Sequence, residues 1–191
     1  MADTRDLIIA DASAVPLPPP SLANGDDAGT YAQIAARIRA AVAPANILEE
    51  IWARDVADLT WDVVRLRRLK AGLFTVGAGD GMKQILRGME QYVSSVEPKA
   101  RDWVARKPAA LVEVNTQLSA AGLDMGDVAT STFAVRIDQF DRIERMLAAA
   151  EVRRAAALHA IDNRRAAERA RVAAEEAIEE GEFTLVPETG V

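Results

Sequence analysis

The sequence predicts an all-α protein: an antiparallel helical hairpin of two long helices (about 47–71 and 125–180) with shorter helices packed at one end. Large apolar residues recur every three or four positions, which places them on one face of a helix. Alanine, a strong helix former, is abundant, whereas aromatic residues make up only 5% of the 191 residues. No proline or glycine interrupts the stretch from Val128 to Glu180.

Residues 1–28 are predicted to be a disordered, Pro-rich, acidic leader. Val15–Pro20 is rich in proline, and aspartates are scattered along the segment. Pro16 and Pro19 have the PxxP spacing that docks on aromatic grooves. No basic residue flanks this motif, so a plain spacer is the favoured interpretation.

A helical core is predicted for residues 29–150, beginning with a short helix at about 31–43. Thr30 and Gln33 have the spacing of a capping box, in which two side chains bond the first amides of a helix. Pro44 is expected to end this helix.

The first long helix shows the clearest helical pattern. Asn46 and Glu49 form a second capping-box pair, and Gly72 is expected to end the helix. Acidic residues in its first turn and basic residues in its last complement the helix dipole. The apolar stripe consists of Leu48, Trp52, Val56, Leu59, Val63, Leu66 and Leu69.

Three aspartates lie beside this stripe, because Asp55, Asp58 and Asp62 fall within about 60° of one another around the helix axis. We expect local ion pairs, Arg54 with Asp58 and Asp62 with Arg65. No Glu-x-x-His pattern accompanies the aspartates, so we expect no metal site.

An alternative for the aspartates is a buried ion-pair layer completed by Arg154. If the two long helices pair with Leu147 near Asp62, then Arg154 lies near Asp55. Such a layer would fix the register of the hairpin more than it would stabilise it.

A glycine-rich stretch, Val76–Gly81, follows the first long helix. It lacks the Gly-Lys-Ser/Thr ending of a P-loop and the strand that precedes a dinucleotide fingerprint. A flexible interhelical loop is therefore predicted, with Asp80 as the cap of a helix that carries Met82, Ile85, Leu86, Met89, Tyr92, Val93 and Val96.

Two short helices are predicted next, at about 98–106 and 108–121. Pro98 and Pro108 suit first-turn positions, and Gly122 suits a helix end. Trp103 is expected to be a packing anchor.

Asp124 and Asp127 begin the second long helix. Its apolar series weakens after Leu147, where alanines replace large residues. We expect a coiled coil or an antiparallel partner for the first long helix. The series consists of Phe133, Ile137, Phe140, Ile143, Leu147, Ala150, Ala157, Ile161 and Val172.

Residues 151–180 are predicted to form a charged helical stem, followed by an extended acidic tail at 181–191. A basic half precedes a purely acidic one, which is typical of a solvated helix. One alternative is an arginine face that contacts nucleic-acid phosphates or a partner. Another is antiparallel self-association of basic with acidic blocks. The candidate contact residues are Arg153, Arg164, Arg165, Arg169 and Arg171.

Two stretches resemble a set of uncharacterised helical proteins common in alphaproteobacterial genomes. The first is Trp52–Trp61 with its continuation Arg65–Lys70, and the second runs from Ile143–Arg145 through Glu151–Arg154 to Ile161 and Asp162. The resemblance implies a bacterial origin and an all-helical fold. It implies no activity and no site residues.

The composition limits the classes of function. A formal charge of −6 argues against coating nucleic acid over the whole surface, and the absence of cysteine excludes thiolate chemistry. No apolar run is long enough to span a membrane, and no signal peptide is recognised, so we expect a cytoplasmic protein.

The candidate catalytic groups are few. The single histidine, His159, is expected to be exposed or interfacial, and no serine has a His/Asp arrangement around it. A carboxylate-only enzyme using Asp55, Asp58 and Asp62 is the remaining enzymatic alternative. We expect no cofactor and a non-enzymatic structural or adaptor protein that self-associates as a homo-oligomer or binds a partner along its C-terminal helix. The alternative is a nucleic-acid accessory protein.

Overall fold

The computed structural model of the chain describes residues 22–182, so the predictions for residues 1–21 and 183–191 lie outside the described part. Within residues 22–182 it contains six helices and no strand, which confirms the all-α prediction. None of these helices is long and apolar enough to cross a lipid bilayer. The helices are α1 (Ala28–Val42), α2 (Ile47–Met89), α3 (Val93–Val104), α4 (Pro108–Ala120), α5 (Met125–Val135) and α6 (Ile137–Glu182).

The helices form two compact units. Unit 1 contains residues 22–61 and 151–182, and unit 2 contains residues 62–150. The predicted helical core at 29–150 is thus divided between two units.

In unit 1, α1 begins earlier than the sequence predicted. The carboxylate of Asp27 accepts hydrogen bonds from the backbone N–H groups of Gly29 (2.9 Å) and Thr30 (3.1 Å). Asp27 therefore caps the helix, and the prediction of a cap at Thr30 was wrong. An aspartate cap suffices because its oxygens satisfy the first free amides.

The end of the predicted leader belongs to the folded part of unit 1. The indole N–H of Trp61, which is buried, donates to the carboxylate of Asp26 at 3.1 Å. The rings of Tyr31 and Trp61 meet edge to face, with their centroids 6.0 Å apart. Residues 22–28 are thus ordered by a buried tryptophan that lies far away in sequence.

The start of α2 agrees with the sequence. Asn46 Oδ1 accepts hydrogen bonds from the amides of Leu48 and Glu49, both at 3.1 Å, which confirms the asparagine cap. The carboxylate of Glu49 accepts from the amide of Ala45 at 3.0 Å rather than from that of Asn46, so the reciprocal bond differs from the one expected in a capping box. In unit 1 the N-terminal part of α2 pairs with α6 through Glu49 and Arg165. The buried apolar residues here are Tyr31, Ala53, Val56, Ala57, Leu59, Trp61 and Ile161.

In unit 2, α2 does not end at Gly72, and the predicted flexible loop at Val76–Gly81 is wrong. These residues lie inside α2, which is 43 residues long. A Cβ built on Gly81 would lie 2.7 Å from the backbone oxygen of Val128 in α5. The glycines thus allow α5 to cross α2 at close range, and this packing compensates for their poor helix propensity.

Hydrogen bonds reinforce the crossing of α5 over α2. The Ser131 hydroxyl donates to the carbonyl of Gly81 at 3.1 Å, and Thr132, which is fully buried, lies against Gly77 and Gly81. Asp80 is not a helix cap. It forms an ion pair with Arg136, whose Nε lies 3.1 Å from its carboxylate.

The remaining core of unit 2 forms where α3, α4 and α5 pack on α2. Pro108 is at the first position of α4, and Gly122 has the positive φ of 71° typical of a helix end, as predicted. Pro98 lies inside α3, which begins at Val93, so the predicted start of this helix was wrong. The Ser95 hydroxyl, which bonds Glu90, helps to order the first turn. The core residues are Met82, Leu86, Val96, Ala100, Val114, Leu118 and Val128.

The second long helix is interrupted at Arg136. The capping box of Asp124 with Asp127 is confirmed, but α5 ends at Val135 and α6 begins at Ile137. Arg136 has φ −112° and ψ 22°, outside helical geometry. The interruption separates α5, which packs on the glycines of α2, from the start of α6, where Phe140 and Glu144 contact Phe74 and Lys70.

Unit 2 contains an antiparallel pairing of α2 with α6. Lys70 forms an ion pair with Glu144, and the ring of Phe74 lies 4.7 Å from that of Phe140. From the first pair to the second, the residue number increases along α2 and decreases along α6, so the two helices run antiparallel. Packing thus supports the hairpin prediction within this unit, although both helices have different bounds from those predicted.

Candidate functional site: the charged half of the C-terminal helix

One residue of the predicted arginine surface points into unit 1. Arg165 Nη2 lies 2.7 Å from the carboxylate of Glu49 and donates to the carbonyl oxygens of Val42 (2.7 Å) and Ala43 (3.3 Å). These carbonyls are at the C-terminal end of α1, where helix carbonyls lack helical partners. Arg165 therefore joins three helices of unit 1, and its guanidinium is engaged in these contacts.

Glu49 is 2% exposed, so its charge depends on these contacts. The hydrogen bond from Arg165 lowers the pKa of Glu49, and the amide of Ala45 lowers it further, whereas burial acts in the opposite direction. The same contact raises the pKa of Arg165. A buried carboxylate is retained here because a guanidinium and an amide both bond it.

The other arginines of this surface differ in their contacts. Arg171 bridges Glu168 (2.7 Å) and Glu175 (2.8 Å) on its own helix. Arg153, Arg164 and Arg169 are exposed and form no ion pair with the residues that the structure describes. The structure therefore does not bring the five predicted arginines together as one surface.

Beyond Arg165, α6 has no packing partner within the described part of unit 1. Every residue from Ala166 to Ile178 is exposed, including Val172 and Ile178 at 41% and 65%. These two apolar residues are about 120° apart around the helix, so they do not form one stripe. We restrict the name stem to residues 164–178, in which arginines precede glutamates: Arg164, Arg165, Arg169 and Arg171 form a basic band, and Glu175 and Glu176 an acidic band.

The aspartates of α2 form the local pairs that the sequence favoured. Arg54 lies 3.7 Å from Asp58, and Arg65 lies 2.5 Å from Asp62. The Tyr31 hydroxyl donates to Asp58. Burial, followed by this contact, raises the pKa of Tyr31 to about 12. Tyr31 is thus a polar partner of the aspartate stripe that the sequence did not indicate.

The structure does not form the alternative ion-pair layer in unit 1. Among the described residues, Arg154 forms no ion pair with Asp55 or Asp58. The Glu49–Arg165 contact sets a different register of α2 against α6. An equal number of residues forward along α2 and backward along α6, this register places Asp55 opposite His159. His159 is exposed. In residues 22–182, no three histidine or acidic side chains cluster in a way that could hold a metal ion.

Unit 2 contains a half-open cavity of about 830 Å³, which the sequence did not predict. Its walls are largely apolar and include Phe74, Trp103 and Leu118, with Arg106 among the few charged residues. Arg106 has φ 55°, a left-handed conformation in which glycine is the usual residue. The sequence contained one sign of this left-handed residue. A glycine commonly closes a helix in that conformation, but none stands at the predicted end of the helix at about 98–106.

Comparisons of the chain with protein-family models, curated proteins and solved structures found no match.

Proposed function

We propose that this chain is a non-enzymatic helical adaptor that self-associates through the stem of α6. The observation that carries the proposal is the exposure of every residue from Ala166 to Ile178 on a continuous helix. A short isolated helix is only marginally stable in water, so a helix without tertiary contacts gains stability when a partner covers it.

The charge pattern favours a second copy of the same chain as that partner. The basic band contains Arg164 and Arg169, and the acidic band contains Glu175 and Glu176. Two antiparallel stems place the basic band of each chain opposite the acidic band of the other. Because the apolar residues form no continuous seam, the association depends mainly on charge and weakens with salt.

Nucleic-acid binding through the arginines has less support. Arg165 is bonded to Glu49 and Arg171 to two glutamates, which leaves Arg153, Arg164 and Arg169 for phosphates. The neighbouring acidic band would repel a phosphate backbone.

The test is the molar mass of the full-length protein by sedimentation at about 0.02 M and about 0.5 M salt. We expect a dimer at low salt and a monomer at high salt. The double variants R164E/R169E and E175K/E176K should each be monomeric, and an equimolar mixture of the two should form a heterodimer. The control D138K reverses a charge in unit 2 and should remain dimeric.

A monomer under all conditions, or a dimer that both double variants retain, would refute self-association through the stem. Titration of the same samples with fluorescent DNA distinguishes the alternative. Salt-sensitive binding that R164E/R169E abolishes while the protein stays monomeric would favour the nucleic-acid function.

A further inference from the structure

The cavity in unit 2 has the size and lining of a small-molecule site. Its volume of about 830 Å³ lies within the range of roughly 300–1,000 Å³ typical of ligand pockets. Residues of α2, α3, α4 and α5 contribute to its walls, and Phe74, Trp103, Leu111 and Leu118 supply apolar surface. Such walls favour a ligand with an apolar body.

Arg106 stands out among the lining residues because of its backbone. It follows the end of α3, where its amide donates to Trp103 O (2.9 Å) and the amide of Lys107 donates to Asp102 O (3.0 Å). This is the hydrogen-bond pattern of a Schellman motif, which favours glycine at the left-handed position. The chain uses glycine at the corresponding end of α4, where Gly122 has φ 71°.

An arginine at this position costs conformational energy that a glycine would not. Arg106 is exposed, so burial of its side chain offsets little of this cost. Its guanidinium forms no hydrogen bond or ion pair with the residues that the structure describes. The cavity wall therefore carries an unpaired cation.

The other charged residue on the wall is already bonded. The carboxylate of Asp124 accepts from the amides of Gly126 (2.6 Å) and Asp127 (3.3 Å) at the start of α5. These amides and the helix dipole offset its negative charge. Arg106 thus supplies the charge that remains available to a ligand.

We propose that this cavity binds an amphipathic carboxylate: an aliphatic or aromatic body lies against Trp103 and Phe74, and Arg106 bonds the carboxylate. A guanidinium suits this role because it can donate two parallel hydrogen bonds to a carboxylate. Binding in this cavity does not require association through the stem, because no stem residue lines the cavity.

The test uses decanoate, 1-decanol and decyltrimethylammonium as probes of equal chain length, below their micelle concentrations, with calorimetry on the full-length protein. We expect one decanoate per chain, bound at least about tenfold more tightly than either other probe. R106Q should remove this preference while retaining the left-handed backbone. R106G should remove it as well and raise the melting temperature.

Two further variants complete the design. R101Q changes an exposed arginine of α3 that does not line the cavity, and it should bind decanoate as the wild type does. A129F places a ring in the cavity and should weaken all three probes. Equal affinity for decanoate and decanol, absence of saturable decanoate binding, or unchanged decanoate binding by R106Q would each overturn the proposal.

Discussion

The glycines of α2 allow the same substitution to be tested in two environments of one helix. In Gly81→Ala, the new Cβ would lie 2.7 Å from Val128 O and from Thr132 N, both backbone atoms of α5. The two helices must separate by several tenths of an ångström to accept it. Overpacking of this kind costs about 1–3 kcal/mol. In Gly72→Ala, the new Cβ meets nothing within 4 Å.

Both substitutions gain about 0.5–1 kcal/mol from the better helix propensity of alanine. Gly72→Ala should therefore stabilise the protein by about that amount. Gly81→Ala should destabilise it by up to about 2.5 kcal/mol, after the propensity gain is subtracted from the packing cost. For a chain of this size, 1 kcal/mol changes Tm by about 2–4 °C.

The assay is thermal unfolding followed by circular dichroism at 222 nm, with calorimetry on the same samples. Gly88→Ala is a second control, since its new Cβ also meets nothing within 4 Å. Opposite signs for Gly81→Ala and Gly72→Ala are the expected result. If Gly81→Ala raised Tm as much as Gly72→Ala, the close crossing of α5 over α2 would be refuted, and the glycines would need another explanation.

Three further predictions concern unit 1. The pKa of Glu49 in the folded state lies below its ordinary value of 4.5. The charge of Glu49 therefore stabilises the fold at pH values above 4.5, and this contribution is lost as the pH falls through the folded-state pKa. The free energy of unfolding, measured with urea, should therefore fall more steeply with decreasing pH in the wild type than in Glu49→Gln. Parallel pH profiles of the two proteins would contradict this expectation. Because the pKa of Tyr31 is raised from 10.0 to about 12, stability should fall between these pH values, and less so in Tyr31→Phe. The same slope in both proteins would argue against the contact with Asp58. Arg165→Ala should lower Tm clearly, whereas Arg169→Ala should change it by less than about 2 °C, because only Arg165 bonds a buried carboxylate. Equal shifts in the two variants, measured by calorimetry, would show that the inward contact contributes little.

Local chemistry made several features predictable. The asparagine cap of α2, the capping box of α5 and Pro108 at the start of α4 all depend on residues a few positions apart. Helical periodicity likewise indicated an all-α fold, since an amphipathic face repeats within each helix. The pairs Arg54–Asp58 and Arg65–Asp62 are also local.

The features that the sequence missed depend on contacts between distant segments. The glycines between Val76 and Gly81 favour a loop in an isolated chain. In the folded protein α2 continues through these glycines, because α5 packs closely on Gly81. Arg165 belongs by composition to a basic surface band, yet the buried Glu49 and the carbonyls of α1 bond it inside unit 1.

The sequence by itself thus determined the helical class, the starts of α2, α4 and α5, and the charge bands of the stem, because each follows from neighbours along one helix. Tertiary structure decided where α2 ends, where α5 and α6 divide, and which arginine bonds a buried carboxylate. It also decided that Arg106 lines a cavity. These outcomes depend on which helix faces lie together, and periodicity within one helix contains no information on its partner's register.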